Sequence, residues 1–523
     1  MKLKIFMKLD LKNILYILLL FLFGFSINFV VANRGVFPID TFLHYDSASR
    51  ILDGSIPIRD FWIVHGLTLD YIQALFFKLF GINWISYIAH SSLLNALITI
   101  STYFFFTINK LKKEYALILS FSFSILAYPV SGTPFIDQHS IFFCLLSFYF
   151  FSFGIKKDYK YLFFIPLFFG LAFFSKPVPS AYLIFSFGII YLLYLLIEKN
   201  LDTLKYIILG TIFFLISLFC FIKIQNIDLN LFLTQLFYYP ISLGTERFSA
   251  FSFDLKKILS NYKYILLTIF AVTFLLRKNL KKIQLRETNI TVISIIIFNF
   301  ACIYHQLLTM NQNFIFFLIP INLSFLIIYL EKNFETDKLK KIVYLIFIFC
   351  LFTTAKYHYR FNIERKFHDL QNVDLSYFSL GNEISSSFPL LKWKTNSYQT
   401  PEEEIIIVKN FLQDIENTKN ILVMTNYNFI YSIHKNVHTV SRTYDSISFP
   451  DKKNQYYNLF RKYFYDKIKY HNISEIYLFF PSNDKKFIVN RFIKEYFENN
   501  CLKFEKPDPN LIKVKINECK IDQ

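Results

Sequence analysis

Asp40 stands where a long apolar stretch ends. It is followed by Thr41-Phe42-Leu43-His44-Tyr45-Asp46-Ser47-Ala48-Ser49-Arg50-Ile51-Leu52-Asp53-Gly54 and by Ser55-Ile56-Pro57-Ile58-Arg59-Asp60-Phe61-Trp62-Ile63-Val64-His65-Gly66. A carboxylate held at the water–lipid boundary is suited to deprotonating a hydroxyl near an amphipathic substrate. Leu43, Ser47 and Ile51, with the small Ala48, share one helical face; Gly54 ends that helix and Pro57 opens an extended stretch. Arg59 and His65 on that stretch are candidates for contact with a phosphate. A second carboxylate, Asp137, comes in the turn Ser131-Gly132-Thr133-Pro134-Phe135-Ile136-Asp137-Gln138-His139. It reads either as a site residue or as a solvated turn carboxylate, because an ionisable group at a span end costs little. His139 beside it is a further binding candidate. Lys176, in Ser175-Lys176-Pro177, is the one cation of an otherwise uncharged turn. It suits a lipid phosphate, and snorkelling explains it nearly as well. His305-Gln306, Gln312-Asn313 and Glu246-Arg247 are weaker candidates.

The elements that must position these groups follow from composition. The chain has 523 residues, 54% hydrophobic and only 18% charged, and its 67 phenylalanines outnumber the 56 lysines and arginines. Such a chain has too little polar surface to cover itself in water, so it reads as a polytopic membrane protein. Disorder is excluded, as are a disulfide scaffold (6 Cys) and a glycine- or proline-rich fibre (12 Gly, 15 Pro). Apolar stretches near 13–31, 84–107, 115–130, 138–155, 161–175, 179–197, 204–223, 262–276, 288–304, 314–330 and 341–355 predict about eleven transmembrane helices. The first is too long for the apolar region of a secretory signal peptide and is read as a span.

The net charge of +18 is spread over short connections rather than one face, so it reads as topology and not as nucleic-acid binding. Lysines precede the first span and follow the second, fourth, sixth, eighth and tenth, whereas turns 131–137 and 305–313 have neither Lys nor Arg. The bias predicts a cytoplasmic N-terminus and an extracytoplasmic C-terminus. Residues 1–355 form the expected transmembrane domain, with long external loops at 32–83 and 224–261. Residues 356–523 read as an extracytoplasmic α/β domain. It has a helix from Pro401 with Glu402, Glu403 and Glu404 in its first turn, strands at 421–425 and 475–480, a helix near 484–498 and two strands around 501–516. Cys501 and Cys519 either pair or stay free; Cys144, Cys220, Cys302 and Cys350 lie in spans and read as packing.

The first external loop resembles that of the GT-C superfamily of integral-membrane glycosyltransferases, with the protein O-mannosyltransferases and the aminoarabinose transferases of lipid A as kin. In those an Asp opens a loop running to Ala-x-x-x-Leu-x-Gly-x-x-Pro-Tyr-x-Asp and then a His. Asp40, Ala48, Leu52, Gly54, Pro57, Asp60 and His65 fall in step; Thr41, Ile58 and Thr68 depart from the pattern. The resemblance implies a GT-C-like fold and an inverting hexosyl or pentosyl transfer. The donor would be a polyprenyl-phosphate-linked sugar. The acceptor would be an envelope lipid, glycan or protein on the extracytoplasmic face, in a bacterial inner membrane. It makes Asp40 the base and Asp137 a carboxylate facing it, orienting the acceptor or sharing a divalent metal, although the single acid at Asp40-Thr41 leans against an obligatory metal. Lys176, Arg59, His65 and His139 would serve the substrate and its phosphate. The rival readings are a transporter or flippase, and an O-antigen-type polymerase or ligase, for lipid-linked glycans.

Overall fold

The structure, a computed structural model, describes residues 10–128, 132–249, 254–282, 285–309, 314–334, 336–365, 370, 372–445, 448–481, 494–496 and 502–516. A helix occupies each expected apolar stretch. They are α1 (Leu11–Ala32), α5 (Trp84–Ile108), α6 (Lys113–Ala127), α7 (Ile136–Lys156), α8 (Phe164–Ser175, entered through a 3-10 turn), α9 (Pro177–Glu198), α10 (Asp202–Ile224), α13 (Leu255–Asn279), α14 (Arg286–Thr309), α15 (Leu318–Leu330) and α16 (Thr336–His358). Among the described residues seven of these, α1, α5, α7, α9, α10, α13 and α14, are long and apolar enough to cross a membrane, and two shorter apolar helices cover Tyr159–Ser175 and Leu318–Leu330. The 15 residues of α6 rise only about 22 Å, short of a hydrocarbon core of about 30 Å. α7 is buried almost all round and forms the centre of the bundle, whereas α10 leaves Phe213, Leu215, Ile216 and Phe219 exposed, as a lipid-facing helix does.

Both long connections are more helical than their composition suggests. The first carries α2 (Pro38–Thr41), α3 (Leu43–Leu52) and α4 (Leu67–Phe80). The second carries α11 (Leu229–Leu233), a π-turn over Thr234–Tyr238 and α12 (Tyr239–Ser249), and α13 begins at Leu255, ahead of the apolar run that announces it. Gly54 acts as expected, since α3 stops at Leu52, but the stretch expected to be extended from Pro57 folds into a tight turn over Ile58–Asp60, closed by the Asp60 N–H on the Ile56 carbonyl and by the Ile58 N–H on the Phe61 carbonyl. Gln235 pins it by accepting from the Ile63 N–H and donating to the Ile58 carbonyl.

The C-terminal region is a small α/β unit. After a two-stranded ladder of β1 (Ser379–Leu380) and β2 (Lys392–Trp393) come α17 (Pro401–Ile415), β3 (Ile421–Thr425), α18 (Ile430–Ile433), β4 (Val437–His438), α19 (Tyr457–Tyr470), β5 (Glu475–Phe479), β6 (Leu502–Asp508) and β7 (Leu511–Ile516). The sheet order is β4-β3-β5-β7-β6, with β3 parallel to β4 and β5 and the β5–β7–β6 ladders antiparallel. Strand alternation divides the core. Ile421 and Val423 face α17 through Ile405, Val408 and Phe411, while Leu422 and Met424 face α19 through Phe460, Phe464 and Ile468. Sequence reading missed α19, whose buried positions are masked by Tyr and Lys in YNLFRKYFYDKIKY. Of the helix expected near 484–498 only Lys494–Tyr496 falls within the described residues and is helical; Cys501 and Cys519 lie outside them. Cys144, Cys302 and Cys350 are buried, but Cys220 is exposed on α10 rather than packed.

Neither face of the sheet keeps its core to itself. Phe42, Tyr45 and Trp84 join the α17 side, and Trp62 and Tyr239 join the α19 side. Phe42 alone meets the rings of Trp393, Phe388 and Phe429. The first loop is therefore sandwiched between the helical body and the sheet.

Candidate active site

A cavity of about 220 Å³ lies at that junction, and Asp40, His65, Asp137 and Lys176 all line it. Asp40 sits on α2 directly after α1, half-buried. Asp137 is in the first turn of α7, where the helix dipole favours a carboxylate. Lys176 caps α9, and its Nζ lies 2.6 Å from one Asp137 oxygen. His305 of α14 donates from Nε2 to the other oxygen at 2.9 Å, so this weak sequence candidate is in fact a direct partner. With its carboxylate 2% exposed, Asp137 is a clamped anion rather than a solvated turn residue.

The loop reaches the cavity through Gly66. Its N–H bonds the Ser175 carbonyl at 2.8 Å, which sets His65 beside Lys176. Gly66 has φ +83°, and a Cβ there would stand 2.6 Å from both Arg442 Nη1 and His44 Cε1, so only glycine admits this approach. Burial, with Arg442 and Lys176 nearby, holds the His65 ring well below its ordinary pKa. It therefore meets a ligand as a neutral hydrogen-bonding group, not as a cation.

The far wall of the cavity comes from the C-terminal region: Ser441, Arg442, Thr443, Asp445 and Ser448. Sequence reading did not single out any of these. Trp62 N donates to the Val440 carbonyl at 2.7 Å and Arg442 N to the Trp62 carbonyl at 3.0 Å, fixing this strap to the loop. Arg442 Nη2 pairs with Asp70 of α4 at 2.7 Å, and the other Asp70 oxygen lies 2.7 Å from His44 Nδ1. Burial drives the Asp70 carboxyl up and Arg442 opposes it; burial also holds His44 far below its ordinary value. A neutral imidazole donating to Asp70 leaves one guanidinium against one carboxylate, a balanced set. Arg442 Nε and Nη1 are buried without a hydrogen-bond partner. No sequence motif marks Arg442, because it lies about 370 residues from Asp70.

Two expected site residues are not brought to this cavity. Arg59 lines a separate one of about 210 Å³ with Arg50, Asp60, His438 and Tyr470; its guanidinium pairs with Asp60 at 2.7 Å and donates to the Gln225 carbonyl. Burial pushes the Asp60 carboxyl up, but Arg59, the Ile56 N–H and Lys467 outweigh it and leave the group below its ordinary value. His139 is fully buried among Phe135 O, Tyr128 OH and His90 Nε2 and does not line the cavity. Among the described residues Gln306 is buried in α14; Gln312 and Asn313, and the side chains of Glu246 and Arg247, lie outside them.

A divalent metal between Asp40 and Asp137 does not fit this geometry. Both Asp137 oxygens already accept hydrogen bonds, and an ammonium 2.6 Å away repels a second cation. What the cavity offers instead is the Asp40 carboxylate in its lining, a clamped carboxylate–lysine pair, and a guanidinium with unspent donors.

A search among curated proteins found no match. Residues 64–223 match the family model described as dolichyl-phosphate-mannose-protein mannosyltransferase, a stretch that contains His65, Asp137, His139 and Lys176 and begins after Asp40. With its apolar helices, the chain is an integral membrane protein whose residues 64–223 are similar to a mannosyltransferase-type glycosyltransferase family.

Proposed function

We propose that the chain moves a sugar from a polyprenyl-phosphate-linked donor to a cell-envelope acceptor (lipid, glycan or protein) on the extracytoplasmic face of a bacterial inner membrane. In this reading residues 1–355 are the catalytic membrane domain and residues 356–523 an extracytoplasmic domain that closes the site. The observation that carries the proposal is the shared cavity of Asp40, Asp137 and Lys176, with Arg442 opposite. Asp40 accepts the acceptor's hydroxyl proton as its oxygen attacks the anomeric carbon. The anomeric C–O bond breaks with its electron pair going to the phosphate, which leaves without a general acid because it is already a stable anion. Charge grows on that phosphate in an oxocarbenium-like transition state. Lys176 spends one N–H on Asp137 and retains two, and with Arg442 it stabilises the departing group. Attack opposite the leaving group inverts the anomeric centre.

The test is Asp40→Asn in the full-length protein, assayed with lipid-linked sugars extracted from a deletion strain, in which an unused donor accumulates. The variant should fold, insert and lose transfer by about 10²–10⁴-fold. A variant that transfers at the parent rate removes Asp40 as the base.

A further inference from the structure

Away from this cavity, the ends of α1 and α16 meet at a group of cations. Arg365, seven residues past the end of α16, is 1% exposed. Its Nη1 donates to the Val31 carbonyl at 3.1 Å, in the last turn of α1. Its Nε and Nη2 are buried with no hydrogen-bond partner, and so is Nδ1 of His358. Arg34 lies close enough for its charge to bear on both residues. Among the described residues no carboxylate forms an ion pair with Arg34 or Arg365. Burial and the neighbouring Arg34 pull the Arg365 guanidinium down to about 9, yet it remains a cation at neutral pH. Arg365 also adopts φ +51°, a conformation that a non-glycine residue seldom keeps.

A buried guanidinium beside a second cation is costly unless an anion compensates it. The free edge of the fork, two N–H groups on Nε and Nη2, matches two oxygens of a phosphate. The surroundings say where that phosphate comes from. Val30 on α1 and Phe352, Tyr359 and Ile363 on the α16 side, all close in the chain to Arg34, His358 or Arg365, are exposed apolar residues. Both helices pack on the short α6, so the apolar flanks run along the side of the bundle where acyl chains lie. We propose that Arg365, Arg34 and His358 bind the phosphate of a membrane lipid at the boundary between hydrocarbon and water. This site is separate from the catalytic cavity and does not depend on the transferase reading.

The test uses delipidated full-length protein in neutral detergent, with the unfolding midpoint as readout. Phosphatidic acid, diacylglycerol with the same chains, and inorganic phosphate are the three probes. Phosphatidic acid at about a hundred times its Kd should raise the midpoint by about 3 °C beyond diacylglycerol. Arg365→Met should keep the diacylglycerol response and lose that extra rise. If Arg365→Met does not fold, the partly exposed Arg34→Gln is read instead, and its increment should shrink. A full increment in the variant, or none in the parent protein, overturns the site. An equal rise from inorganic phosphate alone overturns the assignment to a lipid.

Discussion

Asp137 and Lys176 form a pair whose two members depend on each other. The ammonium is 18% exposed and the carboxylate 2%, so neither is well solvated once its partner is gone. Asp137→Asn leaves a mostly buried cation uncompensated and should cost about 3 kcal/mol. Asp137→Asn with Lys176→Met removes both charges and should restore most of that stability while transfer stays lost, because the cation for the phosphate is gone. Unfolding midpoints and transfer rates of the three proteins separate the two effects. A double variant that transfers normally would make the pair purely structural. Two of the cations that the sequence offers for a phosphate, Arg59 and Lys176, part company here for a physical reason. Lys176 reaches the cavity, but Arg59 is satisfied by its own neighbour Asp60 and by Gln225 O in another cavity. Sequence spacing says nothing of which carboxylate a flexible side chain will reach.

The turn at Gly132 ties α1 and α5 to the start of α7. That glycine has φ +73°, its carbonyl accepts from Asn28 and Ser91, and a Cβ would stand 2.7 Å from the Ala32 Cα. That neighbour is backbone and cannot swing aside. Gly132→Ala should therefore destabilise by about 3 kcal/mol and reduce transfer, since the same turn leads into Asp137; an unchanged unfolding midpoint would show that α1 yields. Helices such as α1, α5 and α7 are legible in the sequence because hydrocarbon demands long apolar runs with internally paired backbone. α19 and the helices of the second long loop were not, because tertiary burial rather than a clean apolar period decides them: Phe460, Tyr463, Phe464 and Ile468 are buried although polar residues surround them. β4, two residues long, has no pattern to read. Asp40 stands out in the sequence by its position at a span end and His305 only as a weak candidate, whereas Arg442 carries no signal there, since only the folded chain places His305 against Asp137 and Arg442 against Asp70.

The sheet and the membrane body share their apolar cores through the first loop, so the C-terminal region is part of the cavity wall and not an appendage. Arg442 concentrates that dependence in one side chain. Arg442→Gln strands the fully buried Asp70 carboxylate and should cost about 3–5 kcal/mol. By itself this variant cannot separate a structural tie from a role in phosphate stabilisation. Asp70→Asn combined with Arg442→Gln can, because amide against amide leaves no unpaired charge. The double variant should regain most of the parent's unfolding midpoint, while its kcat remains about 10²–10³-fold low if the guanidinium stabilises the departing phosphate. Arg442→Lys, which keeps a charge but not the planar fork, should fall between the two. Recovery of both stability and kcat in the double variant would reduce Arg442 to a strut between the sheet and α4, leaving Lys176 as the cation for the phosphate.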